Sequence, residues 1–375
     1  MARYRLEEVA PICQGAVPEN YQYWLLNLDA VESNTGRVLE YVYVDHTQIG
    51  ASTIAFDESN VLYSKLRPYL NKVVLPERPG YATSEMLPLK PNSKVITREY
   101  LTYFLRSPSF VEYINGKTSG AKMPRANISD LKAVEIDCPS IKEQKEVVSS
   151  LAKLEYIVRR RQQQLSALDD LIKARFVEMF GECRESISAG DLMHNMRNGV
   201  SPSTSGKHQE KVLTLSAITQ GQFDPNMWKD GIFDAIPAAD KHICSTDFYM
   251  CRGNGNKSLV GAGVYSADDR DDLVFPDTVI AASVDTTRVC LPYLFVAWMQ
   301  PGIREQIEAG ARTTNGTYKI NQQIISKIKV PLPPLPEQQQ FATFVAQVDK
   351  SKSAIQKSLD ETQLLFDSLM QQYFG

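Results

Sequence analysis

Displaced by 194 residues, this chain overlies itself. Glu143-Gln144 falls on Glu337-Gln338 and Phe180-Gly181 on Phe374-Gly375, while Asn127, Pro139 and Leu165 fall on Asn321, Pro333 and Leu359. The offset holds without a gap from Asn127 to Gly181, too long a stretch for chance in a chain of 375 residues. Two copies of a long unit do not build a solenoid, which stacks several shorter repeats. The chain is therefore read as a tandem duplication with a pseudo-twofold relation, presenting two similar surfaces.

The length suits two to three domains, and 43% hydrophobic with 23% charged residues is ordinary for a soluble chain with real cores. The longest apolar runs, such as that around Leu291 to Met299, fall short of the roughly 18 to 20 residues of a membrane span, and no signal-peptide region opens the chain. The expectation is a cytoplasmic protein without a membrane partner. Six cysteines lie scattered without a CxxC pair, which points to reduced thiols rather than a disulfide framework or a zinc site. A net charge of −3 argues against coating nucleic acid through bulk charge. Cations instead gather locally: Lys65, Arg67 and Lys72; Lys117, Lys122 and Arg125; Arg159-Arg160-Arg161; and Arg312, Lys319, Lys327 and Lys329. Carboxylates crowd Asp268 to Asp272.

The strongest local signal is a pair of long helices. Stepping by four and three from Val147 gives Leu151, Leu154, Val158, Arg161, Leu165, Leu168, Ile172, Arg175 and Met179, a heptad seam with two polar breaks. The repeat places Phe341, Val345, Val348, Lys352, Ile355, Leu359, Thr362, Phe366, Leu369 and Tyr373 on a second seam, with its breaks elsewhere. Ser140 and Glu143 have capping-box spacing, Pro336 suits a first helical turn, and Gly181 suits a stop. A helix from about 142 to 180 would be roughly 55 Å long, and a single apolar seam on such a rod needs a partner. The other copy, lying antiparallel, is the nearest one, with Arg161 and Ile355 close to the crossing.

Between the rods lie segments 1–139 and 182–333. Both carry short β-rich runs (Val38 to Val44, Val61 to Tyr63, Lys72 to Leu75, Val212 to Leu215, Asp247 to Met250, Thr278 to Ala281) and one helical stretch each, near Arg98 to Tyr113 and Pro292 to Glu308. The fold expected is α+β: two mixed α/β domains joined by two long antiparallel coiled-coil helices, 140–181 and 334–375. Away from the helices the two sequences diverge. The first domain offers a run from Tyr63 through Ser64, Lys65, Leu66, Arg67, Pro68, Tyr69, Leu70 and Asn71 to Lys72; the second runs from Tyr249 through Arg252, Gly253, Asn254, Gly255, Asn256 and Lys257 to Ser258.

These features together resemble the specificity subunit of type I restriction-modification systems. The resemblance rests on Thr118-Ser119-Gly120-Ala121 through Ile128, then Cys138-Pro139 to Glu143-Gln144, recurring as Thr313 to Asn321 and Pro331 to Glu337-Gln338, each followed by a long helix ending in Phe-Gly. The run from Ser64 to Tyr69 is also typical of that family's recognition domains. The resemblance implies a non-catalytic reader. Two target recognition domains, 1–139 and 182–333, would each read one half of a bipartite double-stranded DNA site, and the spacer helices would set the gap and bind two methyltransferase subunits. Those partners would use S-adenosylmethionine, and a motor-nuclease (restriction and translocase) subunit would bring ATP and Mg2+; the chain itself would hold no cofactor.

Base reading needs Arg or Lys for guanine and Asn or Gln for adenine, carried on exposed polar loops. The candidates are Lys65, Arg67, Tyr69, Asn71 and Lys72 in the first domain, with Lys122 and Arg125 as phosphate contacts. In the second they are Arg252, Asn254, Asn256, Lys257 and Ser258, with Arg312, Asn315 and Lys319 as positioning groups. Catalytic and metal residues are not expected. A phosphate loop ending at Lys257-Ser258 would need glycine where Cys251 and Asn256 stand, and His242, Cys244 and Cys251 fit no common zinc spacing. Pro276-Asp277 has no Glu-x-Lys downstream, the one candidate, Glu143-Gln144-Lys145, precedes it and opens a helix, and no Asn-Pro-Pro-Tyr or Asp-Pro-Pro-Tyr run appears. The competing reading is a structural coiled-coil adaptor, which would leave the two divergent loop-rich domains idle.

Overall fold

A computed structural model of the chain describes residues 2–20, 22–120, 122–314 and 316–375. The chain forms two compact units, one of Met1–Gln163 with Ile355–Gly375 and one of Gln164–Ala354. In the first, Ala2–Arg5 pairs antiparallel with Glu135–Cys138. A four-stranded sheet follows in the order Val42–Val44, Tyr23–Leu26, Gly80–Thr83, Thr53–Phe56, its middle pair parallel. A second sheet orders Val73–Val74, Val61–Ser64 and Met86–Leu89.

The second unit repeats this plan in unrelated sequence. Ser186–Ser188 pairs with Lys329–Pro331, and Trp228–Phe233, His208–Leu213, Arg270–Val274 and His242–Ile243 form the four-stranded sheet, again with a parallel middle pair. Gly263–Tyr265, Asp247–Cys251 and Val279–Val284 form the second sheet, extended by Met193–Asn198 where the first unit has a single bridge, Ile12 to Leu89. Alternation and burial specify a strand, and many apolar sets satisfy both. Topology has thus outlasted sequence identity.

Each helical stretch expected from the sequence is two helices. Arg98–Arg106 ends at Ser107 and Pro108–Asn115 begins beyond it; Leu291–Trp298 and Pro301–Gly310 divide in the same way. Proline holds the residue before it extended, as at Ser107 (ψ 144°) and Gln300 (ψ 148°), and then starts the next helix at its first position. The run expected from Val38 is a strand only at Val42–Val44, with Val38 in an isolated bridge to Val31.

The rods are helices of forty residues, Ile141–Phe180 and Leu335–Phe374. Every seam position is buried or half-buried except Tyr373, the polar breaks Arg161, Arg175, Lys352 and Thr362 included. The second unit shows the pairing directly: Phe176 and Phe180 meet Phe341 with ring centroids 5.6 and 5.5 Å apart, and Lys352 Nζ lies 2.6 Å from Asp169 Oδ1. Rising numbers on one helix meet falling numbers on the other, so the pair is antiparallel. Arg161 and Ile355 are both half-buried. A second buried row beside the seam, Phe176 and Phe180 on one helix and Met370 and Phe374 on the other, faces the sheet-bearing domains. Tyr373 is exposed because Phe374 takes the inward place.

The repeated glutamine has a physical role in each unit, and the glutamate before it has one in the first. Glu143 closes the capping box: Ser140 N donates to Glu143 Oε2 at 2.8 Å and Glu143 N donates to Ser140 Oγ at 3.3 Å. Gln144, fully buried, accepts from Thr97 N at 2.8 Å and donates to the carbonyls of Val95 (2.8 Å) and Pro139 (2.9 Å). Gln338, equally buried, accepts from Cys290 N at 3.0 Å and donates to Arg288 O (3.1 Å) and Pro333 O (2.8 Å). Thr97 and Cys290 are the N-caps of Arg98–Arg106 and Leu291–Trp298. One amide therefore ties the start of a rod to the start of a domain helix and to the strand between them. The next turns of those helices supply Tyr100, whose hydroxyl donates to Asp137 O at 3.3 Å, and Tyr293, which donates to Pro331 O at 2.9 Å. Phe374 packs on Tyr100 at 5.0 Å and Phe180 on Tyr293 at 5.0 Å.

Replacing either glutamine strands a buried N–H and its carbonyl partners. Gln144→Ala or Gln338→Ala should cost about 2 to 4 kcal/mol in chemical denaturation, whereas Gln339→Ala at the exposed neighbour should stay within about 0.5 kcal/mol.

Candidate nucleic-acid interface

Two loops of unlike sequence occupy one position in the fold. In the first unit the central strand Val61–Ser64 runs into residues 65–72; in the second, Asp247–Cys251 runs into residues 252–258. Lys65 N donates to Glu85 O (2.9 Å) and Lys65 O accepts from Ala126 N (2.8 Å). Arg252 N donates to Thr278 O (2.8 Å) and Arg252 O accepts from Ile320 N (2.9 Å). Ala126 and Ile320 are repeat partners, so Lys65 and Arg252 are equivalent backbone positions.

Each loop rests on a hairpin. Thr118–Ser119 pairs with Arg125–Ala126, and Leu66 bridges to Arg125. Arg312–Thr314 pairs with Thr317–Lys319, to which Gly253–Asn254 adds a third strand. Each hairpin leads into an asparagine N-cap: Asn127 Oδ1 accepts from Ser129 N at 3.0 Å and Asn321 Oδ1 from Ile324 N at 2.9 Å. The duplicated asparagine thus anchors the base of each hairpin, leaving the residues before it free to vary.

The candidate side chains divide by surroundings. Arg67 and Tyr69 are exposed around the short 3-10 turn Pro68–Leu70, Tyr69 by 52%. Arg67 sits in the left-handed region at φ 50°, uncommon for a non-glycine residue, and its N–H is held by Pro124 O at 2.7 Å. Lys122, Asn256, Lys257, Ser258, Arg312 and Lys319 are also exposed. Asn256 caps its own turn, accepting from Ser258 N at 3.1 Å. Asn315 lies outside the described residues.

Other candidates are engaged by the fold. Asn71, also left-handed at φ 50°, donates to Arg106 O at 3.1 Å. Lys72 donates to Leu28 O at 2.6 Å, and burial draws its ammonium below the ordinary lysine range. Arg252 is half-buried and donates to Asp277 O at 3.1 Å, while Asn254 accepts from Asn256 N at 2.8 Å. Glu85 sits between two cations: Arg125 grips it through Nε (3.0 Å) and Nη2 (2.9 Å), and Lys65 Nζ lies 3.9 Å away. Thr278 holds the corresponding backbone place in the second unit, so a threonine stands there where the first unit has this carboxylate.

A further pair of matching features is not marked by residue type. One edge of each four-stranded sheet bears an exposed aromatic under a cation. Arg78 lies 4.7 Å over the Tyr41 ring and donates to Tyr43 Oη at 2.8 Å, and Lys211 lies 5.0 Å over Trp228. Lys211 and Arg270 both bind Asp272, holding that carboxyl well below its usual range. Tyr41 and Tyr43 stand two apart, the signal by which they could have been found; Lys211 and Trp228 are adjacent only across strands. Among the described residues no group of His, Cys, Asp and Glu is arranged to hold a metal ion, and no helix is long and apolar enough to cross a membrane.

The model of a family described as the type I restriction modification DNA specificity domain matches residues 4–167 and 305–362, more than half the chain. The EcoKI specificity subunit of Escherichia coli K12 is 23% identical over 301 residues, covering 74% of this chain and 64% of the relative. The EcoDI specificity subunit of Escherichia coli is 29% identical over 124 residues, 33% of this chain and 27% of that one. The chain thus spans less than two thirds of the length of these relatives. Among solved structures, a chain from work on complex assembly and conformational transition of the type I R-M system superposes with a TM-score of 0.59 at 16% identity, covering 100% of this chain and 97% of that one. The type I S subunit from M. genitalium gives 0.58 at 14%, covering 100% and 96%. At such identities these two structures speak to the fold.

Glu85 should act as a brake on the first interface. Glu85→Gln frees Arg125 and Lys65, and fluorescence anisotropy across a salt series should show tighter duplex binding at low salt with a slope of log K on log salt steeper by about 1.

Proposed function

We propose, because this chain belongs to the family of type I restriction-modification DNA specificity proteins, that it reads a bipartite DNA site and directs partner methyltransferase subunits to it. The supporting observation is the placement of Arg67 and Tyr69 in one unit, and of Asn256, Lys257 and Ser258 in the other, on equivalent loops above equivalent hairpins. Bases are told apart by hydrogen-bonding side chains at their edges, and phosphate contacts fix register without carrying sequence. Two unlike loops on one scaffold therefore suit two different half-sites.

The exposed reading residues are Arg67, Asn256, Lys257 and Ser258, with Tyr69 packing against sugar or base. Lys122, Arg312 and Lys319 hold backbone from the hairpins, and Asn315 stays with them as a positioning group. Lys65, Asn71, Lys72, Arg252 and Asn254 act through the loops they brace, and Arg125 contributes once Glu85 releases it. The long helices set the gap between half-sites. The chain performs no chemistry itself; S-adenosylmethionine enters through the methyltransferases, and ATP with Mg2+ through a motor-nuclease subunit where the system has one.

Partner docking has its own support. Leu171 and Leu365 stand at the same repeat position, one on each long helix, and are 46% and 51% exposed. An exposed leucine repeated at the same position of both helices suits two copies of one partner. Leu171→Asp and Leu365→Asp should each lower the methyltransferase stoichiometry from two to one by native mass spectrometry, and the double variant should bind none.

The whole reading is tested by co-expressing the chain with its cognate methyltransferase and mapping methylated adenines by single-molecule sequencing. A split, asymmetric motif is expected, and Arg67→Ala should relax or abolish its first half alone. Methylation without any sequence preference would instead favour an adaptor.

A further inference from the structure

The repeat itself isolates a feature that the shared fold does not require. Arg159-Arg160-Arg161 lies in the first long helix, and the corresponding positions of the second helix are Ser353, Ala354 and Ile355. Arg159 and Arg160 are exposed and form no ion pair among the described residues; Arg160 makes only a long hydrogen bond, 3.5 Å, to Gln163. Adjacent cations repel one another, and nothing in the packing of the other copy needs them.

Their surroundings are laid out by contacts within the first unit. Glu155, one helical turn earlier, accepts from Tyr103 Oη at 2.8 Å and lies 3.6 Å from Arg106, so this face of the helix is turned to the domain. Arg159 follows at i+4 on the same face. Arg106 donates to Val73 O at 2.8 Å beside Gly36, whose φ of +64° and close approach to Val73 O leave no room for a side chain. Gly36 belongs to the loop 32–37, and Asn34 N in that loop donates to Leu70 O at 3.2 Å, inside the reading run. Thr35, Arg37 and, least of the three, Arg159 hold the Glu32 carboxyl of this loop below its ordinary range. Arg37, Arg67, Lys72, Arg106 and Arg159 thus share one corner with three carboxylates, Asp29, Glu32 and Glu155, and Arg160 stands beside Arg159, exposed, about 100° further round the helix. In a chain of net charge −3, this is a local cationic excess.

We propose that Arg159 and Arg160, with Arg37, form a sequence-independent phosphate clamp that continues the first reading loop onto the long helix and holds the duplex backbone beside that half-site. The occupant is set by charge complementarity and by continuity with the loop carrying Arg67 and Tyr69. The clamp rests on the DNA-reading function proposed above.

The test uses the full-length chain and two labelled duplexes of about three helical turns, one of random sequence and one carrying the mapped site. In R159Q/R160Q, binding to both should weaken roughly tenfold or more near 0.1 M salt, with the slope of log K on log salt shallower by about 1 to 2. The preference for the site over random sequence should stay unchanged, because phosphates carry no sequence. R159K/R160K, which keeps the charges, should retain the wild-type slope. A wild-type slope in the glutamine variant, or an equal loss of slope in the lysine variant, overturns the clamp alone. Wild-type chain that binds neither duplex overturns the DNA-reading function with it. R37Q, in an exposed loop, reads the same slope without altering the helix: a slope shallower by about 1 supports the clamp even where the helix variant does not fold, and an unchanged slope rejects it.

Discussion

The rest of the molecule depends on one buried amide used twice. A glutamine at the start of a long helix reaches into a domain, where its oxygen takes the N–H that begins a shorter helix and its nitrogen serves two carbonyls that neither helix nor sheet can satisfy. Buried polar groups must be paired, and an amide can donate and accept at once along fixed directions. That requirement sets the angle between rod and domain in each unit. A glutamate would meet the same carbonyls with like charge, and an alanine would leave them bare.

Around this joint the two units are completed in the same way. Tyr100 and Tyr293 hold the strand before each rod, and each is covered by the phenylalanine that ends the other long helix, Phe374 or Phe180. The aromatic end of a rod is therefore as much a part of a domain's core as of the helix pair. This is why the duplicated Phe-Gly and Glu-Gln persist together: one starts a rod against its own domain, and the other finishes it inside the second. With the scaffold secured at these points, the loops beyond the central strands are braced by different contacts in each unit, Lys72 to Leu28 O in one and Arg252 to Asp277 O in the other, and their exposed residues can differ.

Much of this was legible from residue spacing. The heptad seams predicted which helix positions are covered, because a period of 3.5 can bury only one stripe. Their single failure, Tyr373 at the end of the second rod, arises where the neighbouring Phe374 finds a better-shaped aromatic seat. The second buried row, Phe176 with Phe180 and Met370 with Phe374, could not be read from a seam pattern, since it answers to a domain rather than to the partner helix. The two-helix breaks were written in Pro108 and Pro301 but hidden by the continuous apolar content around them. Among the candidate site residues, type and loop context picked out Arg67, Tyr69 and Lys257 as surface groups. The same criteria could not distinguish Lys72 and Arg252, whose charges the fold engages through backbone carbonyls.

What the sequence determined by itself was the duplication, the two rods and their ends, because these rest on periodicity and on capping groups a few residues apart. Tertiary structure alone decided that two unrelated runs, one beginning at Lys65 and one at Arg252, are the same place in the fold. Strand pairing is a long-range agreement of backbone hydrogen bonds that leaves side-chain identity open, so equivalence of position survives where similarity of sequence does not. It also decided which cations remain available: Glu85 lies forty residues from Arg125 in the chain yet holds it in a fork, and no local pattern announces a partner that only folding brings near.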